Sequence, residues 1–589
     1  MRSQYFQDEL AYLKESGNLF AEYNPKLVNY LSESSTDPDV ERLLEGFAFL
    51  TSKLREKLDD ELPELSQSVI QLLWPNFLKP FPSVSLLKLT PVERAITNRQ
   101  IAYAGMEVLS SEIDGTQCQF QTTNDCTVYP FEISKSELIR TRANSMINLE
   151  FKSLGGLPIN KVDLQDLRLW FTGDDTISQM LYLWFGRYTK KITLVSKDDG
   201  TRYNIPLNQL DPGGLKESDA IFPDISNAFS GYRLLQEYFI FPKKFLCFDL
   251  NNLKEITQNI TASEFSLEFE FERPLPAEIQ LRPNNIQLYC VPIINLFEYD
   301  ADPILIDHKR VYYPINPANR HLNSYEIFSI NLVESLQDPD SKTKHSIRRQ
   351  YPNFESFDHE IESEDNYGQI YYRVKLRPSI REEGLDHLVS FVHHNSDYII
   401  PPEEGLSVKL SCFNGTHAHE LGIGDIYLTT ETTPSFVKFK NITRPTSPVY
   451  PPLDGRLYWN MISNLSLNYL SLLDKKSLAT ILNIYDFPAH SSRQSERAAK
   501  KRSEGISNIE TYPLDRLEKG MPIRGIHTDL TLKESHFQSE GEMFLFATIL
   551  ADFFSLYSSI NSFHELHVYG EESDEVYKWP IKSGKQPLI

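Results

Sequence analysis

Residues 37–83 read DPDVERLLEGFAFLTSKLREKLDDELPELSQSVIQLLWPNFLKPFPS. Asp37 is suited to cap free backbone N–H groups, and Pro38 fits a first helical turn, where its missing N–H has no partner to lose. Asp39 and Glu41 complement the positive end of the helix dipole. Leu43, Phe47, Leu50, Leu54 and Leu58 then follow at steps of four, three, four and four, which lines one helical face, and Leu44 widens it. Each such side chain contributes about 1.5–3 kcal/mol when fully buried, before entropy is subtracted. A stripe this regular calls for a partner helix. The prolines predict that the helix stops before Pro63, that a second short helix covers 66–74, and that Pro75, Pro80 and Pro82 end helical structure.

Upstream, Phe6, Leu10 and Leu13 keep heptad-like steps, and after Asn24-Pro25 Leu27 and Leu31 resume them briefly. Residues 1–82 are therefore read as a helical segment. So little chain makes a poor core alone, which points to packing against something else. Two readings stand: a core helix of one ordinary domain, or a bundle shared with other chains.

A chain of 589 residues is too long for one core and implies about two to four domains. Its 40% hydrophobic and 24% charged content is that of a globular protein. A net charge of −22 argues against nucleic acid, whose phosphates demand a basic surface. The five cysteines are odd in number and form no CxxC pair, so neither a disulfide framework nor a zinc site is expected. No secretory signal opens the sequence, and the apolar run 543–560 contains Asp552 and three serines, which favours a buried helix over a membrane span. The expected compartment is the cytoplasm.

After Pro82 the period changes from helical to two. Ile147, Leu149 and Phe151 alternate with polar residues, as do Leu167, Leu169 and Phe171 with Arg168 and Trp170. Asp199-Gly200 marks a hairpin turn. Phe265, Leu267, Phe269 and Phe271 oppose a row of glutamates, either a solvated face or one facing basic neighbours. The expected organisation is α+β and multidomain: a helical segment 1–82, mainly-β domains 83–275 and 276–440, the latter with an exposed insertion 338–366, and an α/β domain 441–589. In the last, 457–473 reads as helix, 491–502 as a basic loop carrying Arg493, Arg497, Lys500 and Lys501, 525–532 as strand, and 542–557 as a helix apolar on nearly every side. Either that helix is central to its domain or a neighbouring protein covers it.

Few residues are spaced for chemistry. His564-Glu565-Leu566-His567 has its histidines three apart, not the four of the zinc motif HExxH, and reads as a strand entering a turn. Gly520 and Gly525 have the spacing of a phosphate loop, but Ile526-His527 replaces its Lys and Ser/Thr. Gly422-Ile423-Gly424-Asp425 lacks the third glycine of a dinucleotide site. Asp59-Asp60-Glu61 reads as ion pairing with Lys53, Arg55 and Lys57 at a helix C-terminus. No catalytic residue, cofactor or metal is expected. The alternative from another class is a metal-dependent hydrolase built on His417, His419 and Glu420.

The 37–83 block resembles the N-terminal block of the TssF (ImpG/VasA) family of type VI secretion baseplate subunits. Four further blocks are similar to that family: GYRLLQEYF at 231–239 with Phe241-Pro242 and Phe245; CVPIINLF at 290–297 continuing through ADPI at 301–304; 459–473; and 544–557 with INSF at 560–563. The insertion 338–366 and the tail after Leu566 match no such pattern. The resemblance implies a non-catalytic scaffold related to contractile-phage baseplate wedge proteins. It implies that two copies join one TssG through a helical core bundle, that this unit meets TssK and TssE, and that wedges assemble around the VgrG spike to seed the sheath. The site would be cytoplasmic, docked at the inner membrane through the apparatus. Interface candidates are Phe6, Leu10, Leu13, Leu43, Leu44, Phe47, Leu50, Leu54 and Leu58, with Arg493, Arg497, Lys500 and Lys501 at a second contact.

Overall fold

Helix α1 (Pro38–Leu73) runs as one 36-residue element straight through Pro63. The expected break does not occur. An interior proline forfeits one backbone bond and costs about 3 kcal/mol. Continuing the helix keeps Ser66, Ile70 and Trp74 in line on one face, where all three are buried, and burying two large apolar side chains offsets that cost. Asp59-Asp60-Glu61 consequently lies within the helix, not at its end. A short 3-10 turn (Pro75–Leu78) follows.

The computed structural model describes residues 6, 10, 13, 38–222, 230–307, 309–318, 324–335, 350–355, 370–379, 384–393, 404–453, 458, 461–462, 474–518 and 521–584. The insertion 338–366 falls outside them except for 350–355, as does most of 457–473. Contacts divide the chain into two compact units. The smaller comprises Met1–Leu78, Glu355–Phe357 and Leu453–Ile462, and the larger holds everything else. In the smaller unit, Gln67 Nε2 donates to Tyr458 Oη at 3.5 Å, and Tyr458 and Met461 are fully buried.

In the larger unit the period-two segments become strands, as their alternation requires. A six-stranded antiparallel sheet has the order Ile426–Thr429, Glu107–Ile113, Thr116–Thr122, Cys290–Ile294, Val84–Pro91, Val437–Asn441. A five-stranded sheet runs Arg202–Ile205, Thr189–Ser196, Glu264–Phe271, Ser145–Ser153, Phe131–Arg140. Its first hairpin turns at Asp199-Gly200, with Gly200 at φ +69°. The glutamate row meets basic neighbours: Arg202 pairs with Glu268, and Lys197 with Glu150 at 2.5 Å on the adjacent strand. The described residues between 297 and 413 form two smaller sheets around Phe297, Val333, Tyr372, Val389 and Leu410.

The six-stranded sheet takes strands from both sides of residue 275, and its edge strand Val437–Asn441 reaches position 441. The division expected at 275/276 therefore does not coincide with a break between sheets, whereas the one expected at 440/441 lies within a residue of this sheet's end.

The C-terminal part is built on Ile506–Glu518, Met521–Leu532 and Phe563–Gly570, the last two parallel and joined by helix α7 (Glu540–Tyr557). Parallel neighbours need such a crossover. Helix α7 is central, but not to a separate domain. It packs on α2 (Asp175–Leu183) and α3 (Ser230–Ile240), both from the expected first β domain. Phe544 lies 5.9 Å from Tyr182 and Phe546 6.0 Å from Tyr238, ring to ring. The approach is close enough that a Cβ on Gly541 would stand 2.3 Å from the Gln179 carbonyl oxygen.

Candidate interaction surfaces

Along the N-terminal part of α1 the apolar residues divide between two faces. Ala48 and Ser52 are buried and Leu44 half-buried on one side. Leu43, Phe47 and Leu50 stand 74%, 56% and 61% exposed on another, with Phe49 also exposed. Burying such side chains is strongly favourable, and leaving three in line in water marks an interaction surface. Phe6, Leu10 and Leu13 are helical and half-buried; the side chains of Leu54 and Leu58 lie outside the described residues.

The basic run is a helix rather than a loop. After α4 (Lys475–Tyr485) and α5 (Phe487–Ser491), helix α6 (Arg493–Glu504) starts where Ser492 Oγ accepts from the Ser495 N–H at 3.1 Å. Ser492 followed by residues of high helix propensity is the sequence signal for this helix. Helical spacing puts Arg493, Arg497, Lys500 and Lys501 on one face, all exposed. On the opposite face Ala499 is buried and Arg502 turns inward, its Nη1 3.0 Å from Asp486 Oδ2 and its guanidinium 5.1 Å from the Phe239 ring centre. One arginine of the run is thus an anchor, while Arg493, Arg497, Lys500 and Lys501 face outward, Lys500 4.0 Å from Glu504 of the same helix.

His417, Ala418, His419 and Glu420 form a single helical turn, with His419 Nδ1 2.9 Å from the Pro445 carbonyl oxygen. His417, His419 and Glu420 do not converge as ligands among the described residues. Gly525 lies inside a strand, not a phosphate loop. His564 to His567 lie within the Phe563–Gly570 strand rather than at its end. His564 points into the core, 5.2 Å from the Phe554 ring, and burial pushes its imidazole down to about 3.

The type VI secretion system TssF profile matches residues 2–586. The chain belongs to the TssF family. Type VI secretion system component TssF1 of Pseudomonas aeruginosa is 28% identical over 638 aligned positions, which span 100% of this chain and 99% of the relative. A chain in a solved type VI secretion TssK-TssF-TssG baseplate subcomplex superposes with TM-score 0.76 at 27% identity, covering 93% of this chain and 99% of that one. A chain of a solved type VI secretion baseplate complex shares the fold at TM-score 0.62 and 24% identity, with 100% of both chains covered. The role is that of a baseplate subunit.

Two of the blocks that resemble the TssF family supply structural elements of the larger unit. CVPIINLF supplies the Cys290–Ile294 strand, which pairs along its length with Val84–Pro91. GYRLLQEYF supplies α3, whose Glu237 is paired with Lys244 with both side chains at most 3% exposed. Glu237 Oε1 also accepts from the Ile221 N–H at 2.8 Å. Sequence reasoning missed this pair, because nothing local separates a buried glutamate from a solvated one. It missed a second: Arg168 bridges Asp219 at 2.9 Å and Asp249 at 2.5 Å. Burial pushes the Asp219 carboxyl up, and the Arg168 charge and hydrogen bonds more than reverse it, leaving it below its ordinary value.

Proposed function

We propose that this chain is a non-catalytic wedge scaffold of the type VI secretion baseplate, with two copies joined to one TssG-like subunit through the helical segment ending near residue 82. The observation that carries this is the exposed Leu43, Phe47 and Leu50 stripe on α1. Phe6, Leu10, Leu13, Leu44, Leu54 and Leu58 complete the proposed seam. The solved TssK-TssF-TssG subcomplex supports TssK and TssG as partners. TssE, the VgrG spike and neighbouring wedges complete the proposed assembly, with α6 supplying a second contact. None of the described helices is long and apolar enough to cross a membrane; the proposed place is the cytoplasm, docked at the inner membrane through the apparatus.

Co-purification with a TssG-like subunit tests the seam. Leu43→Asp, Phe47→Asp and Leu50→Asp change exposed positions, so the free chain should keep its stability within about 0.5 kcal/mol. Binding should fall by orders of magnitude, because the complex would bury an unpaired charge. If the variants instead unfold the free chain, the seam is internal and the proposal fails.

A further inference from the structure

The pairing of Met521–Leu532 with Phe563–Gly570 sets His527 beside Glu565 and Asp529 beside His567. Alternation along both strands puts these four on the face turned away from α7, while Leu566 and Val568 point into the core. The two imidazoles alternate with the two carboxylates in a ring. His527 Nδ1 is 2.8 Å from Glu565 Oε2, and its Nε2 is 2.9 Å from Asp529 Oδ1. His567 Nε2 is 3.8 Å from Glu565 Oε1, and its Nδ1 is 3.9 Å from Asp529 Oδ1.

Two features of this geometry point to a ligand. A neutral imidazole has one N–H, yet buried His527 faces a carboxylate at each nitrogen; the second needs an extra proton or a cation. The His567–Glu565 separation exceeds hydrogen-bond range but suits two ligands sharing one ion: at metal–ligand bonds of about 2.1 Å, tetrahedral neighbours stand roughly 3.4 Å apart. Donor atoms of His527, Glu565 and His567 all lie within 4.8 Å of one another. The Tyr512 ring stacks on His527 at 4.7 Å and its hydroxyl donates to Asp529 Oδ2 at 3.3 Å, which holds the arrangement from one side.

We propose that His527, Glu565 and His567 bind a divalent cation of the zinc class, with Asp529 as the positioning residue that accepts the Nε2–H of His527. A carboxylate holding the far nitrogen of a ligating histidine is the usual outer support of such a site. Two imidazoles and one carboxylate are donors that zinc accepts. The ion ties two parallel strands together across the sheet face, and no reaction is assigned to it. The site is independent of the proposed partner seam.

The test uses the full-length, untagged chain, stripped with chelator and titrated with Zn2+ alone by calorimetry. The expected result is one ion per chain and a raised thermal midpoint. Affinity should fall about tenfold or more in Glu565→Gln and His567→Gln, whose altered side chains are partly exposed and whose ion-free folds are checked by circular dichroism. Absence of binding to the wild-type chain overturns the proposal, as does equal binding by either variant. Co2+ substitution gives an independent reading on the wild-type chain. Ligand-field bands without thiolate charge transfer support the site, whereas a thiolate band would place the ion on a cysteine and overturn it.

Discussion

Glu237 and Lys244 carry opposite charges in a place where neither reaches water. Removing one partner from such a pair strands the other, at about 3–5 kcal/mol, whereas removing both charges is much milder. Lys244→Met should therefore lower the thermal midpoint sharply. Adding Glu237→Gln, whose carbonyl oxygen can still accept from Ile221, should recover most of the loss; differential scanning calorimetry on the two variants would show it. His387 is a second residue with a readable consequence. It lies buried in the strand Leu385–His393, opposite Ile315 and Leu376. Burial pushes its imidazole from 6.5 down to about 4. The unfolded chain therefore takes up a proton that the fold refuses. The stability due to neutral His387 is complete above pH 6.5 and declines as pH falls towards 4, by up to about 1.4 kcal/mol per pH unit. His387→Leu should flatten that part of the acid profile, as followed by thermal unfolding between pH 7 and 4.5. An unchanged slope would mean that His387 is protonated in the fold.

At the scale of elements, α1 and α7 show two solutions to an excess of apolar surface. Helix α7 is apolar nearly all round and is covered nearly all round, by α2, α3 and the strand behind it. Helix α1 buries Ala48 and Ser52 and leaves Leu43, Phe47 and Leu50 uncovered. Helix α6 presents the complementary case, a charged face held outward by Arg502 and Ala499 held inward. Reversing Arg497, Lys500 and Lys501 to glutamate should leave the monomer's thermal midpoint nearly unchanged, since all three are exposed. If α6 meets an acidic neighbour, the reversal should reduce association of wedges at low salt, and high salt should weaken the wild-type assembly in the same way. Sedimentation of reconstituted wedges at two ionic strengths measures both. Normal assembly of the reversed variant at low salt would make α6 a solvated helix. Arg502→Glu, by contrast, should destabilise the fold itself, because it puts a negative charge against buried Asp486.

For the whole molecule, the dependence of α7 on α2 and α3 predicts that residues 441–589 expressed alone will not form a stable domain. Phe544, Phe546 and Phe553 would lose ring contacts with Tyr182, Tyr238 and Tyr232 and expose their faces to water. A fragment with dye-binding hydrophobic surface and no cooperative melt is expected, and a native-like melt would show that the boundary at 440/441 is real. What the sequence alone determined was local and periodic: the α1 stripe, the all-round apolar α7, the alternation of 147–151 and 265–271, the turn at Asp199-Gly200 and the blocks that resemble the TssF family. These can be read because each depends on residues within a turn or two of one another. Only the tertiary structure decided that α1 passes Pro63, that the basic run is a helix with one inward arginine, and that Val84–Pro91 pairs with both Cys290–Ile294 and Val437–Asn441. It alone set His527 and Asp529 beside Glu565 and His567, across paired parallel strands. Those outcomes rest on contacts between residues tens to hundreds of positions apart, whose burial energy is realised only once the chain has closed on itself.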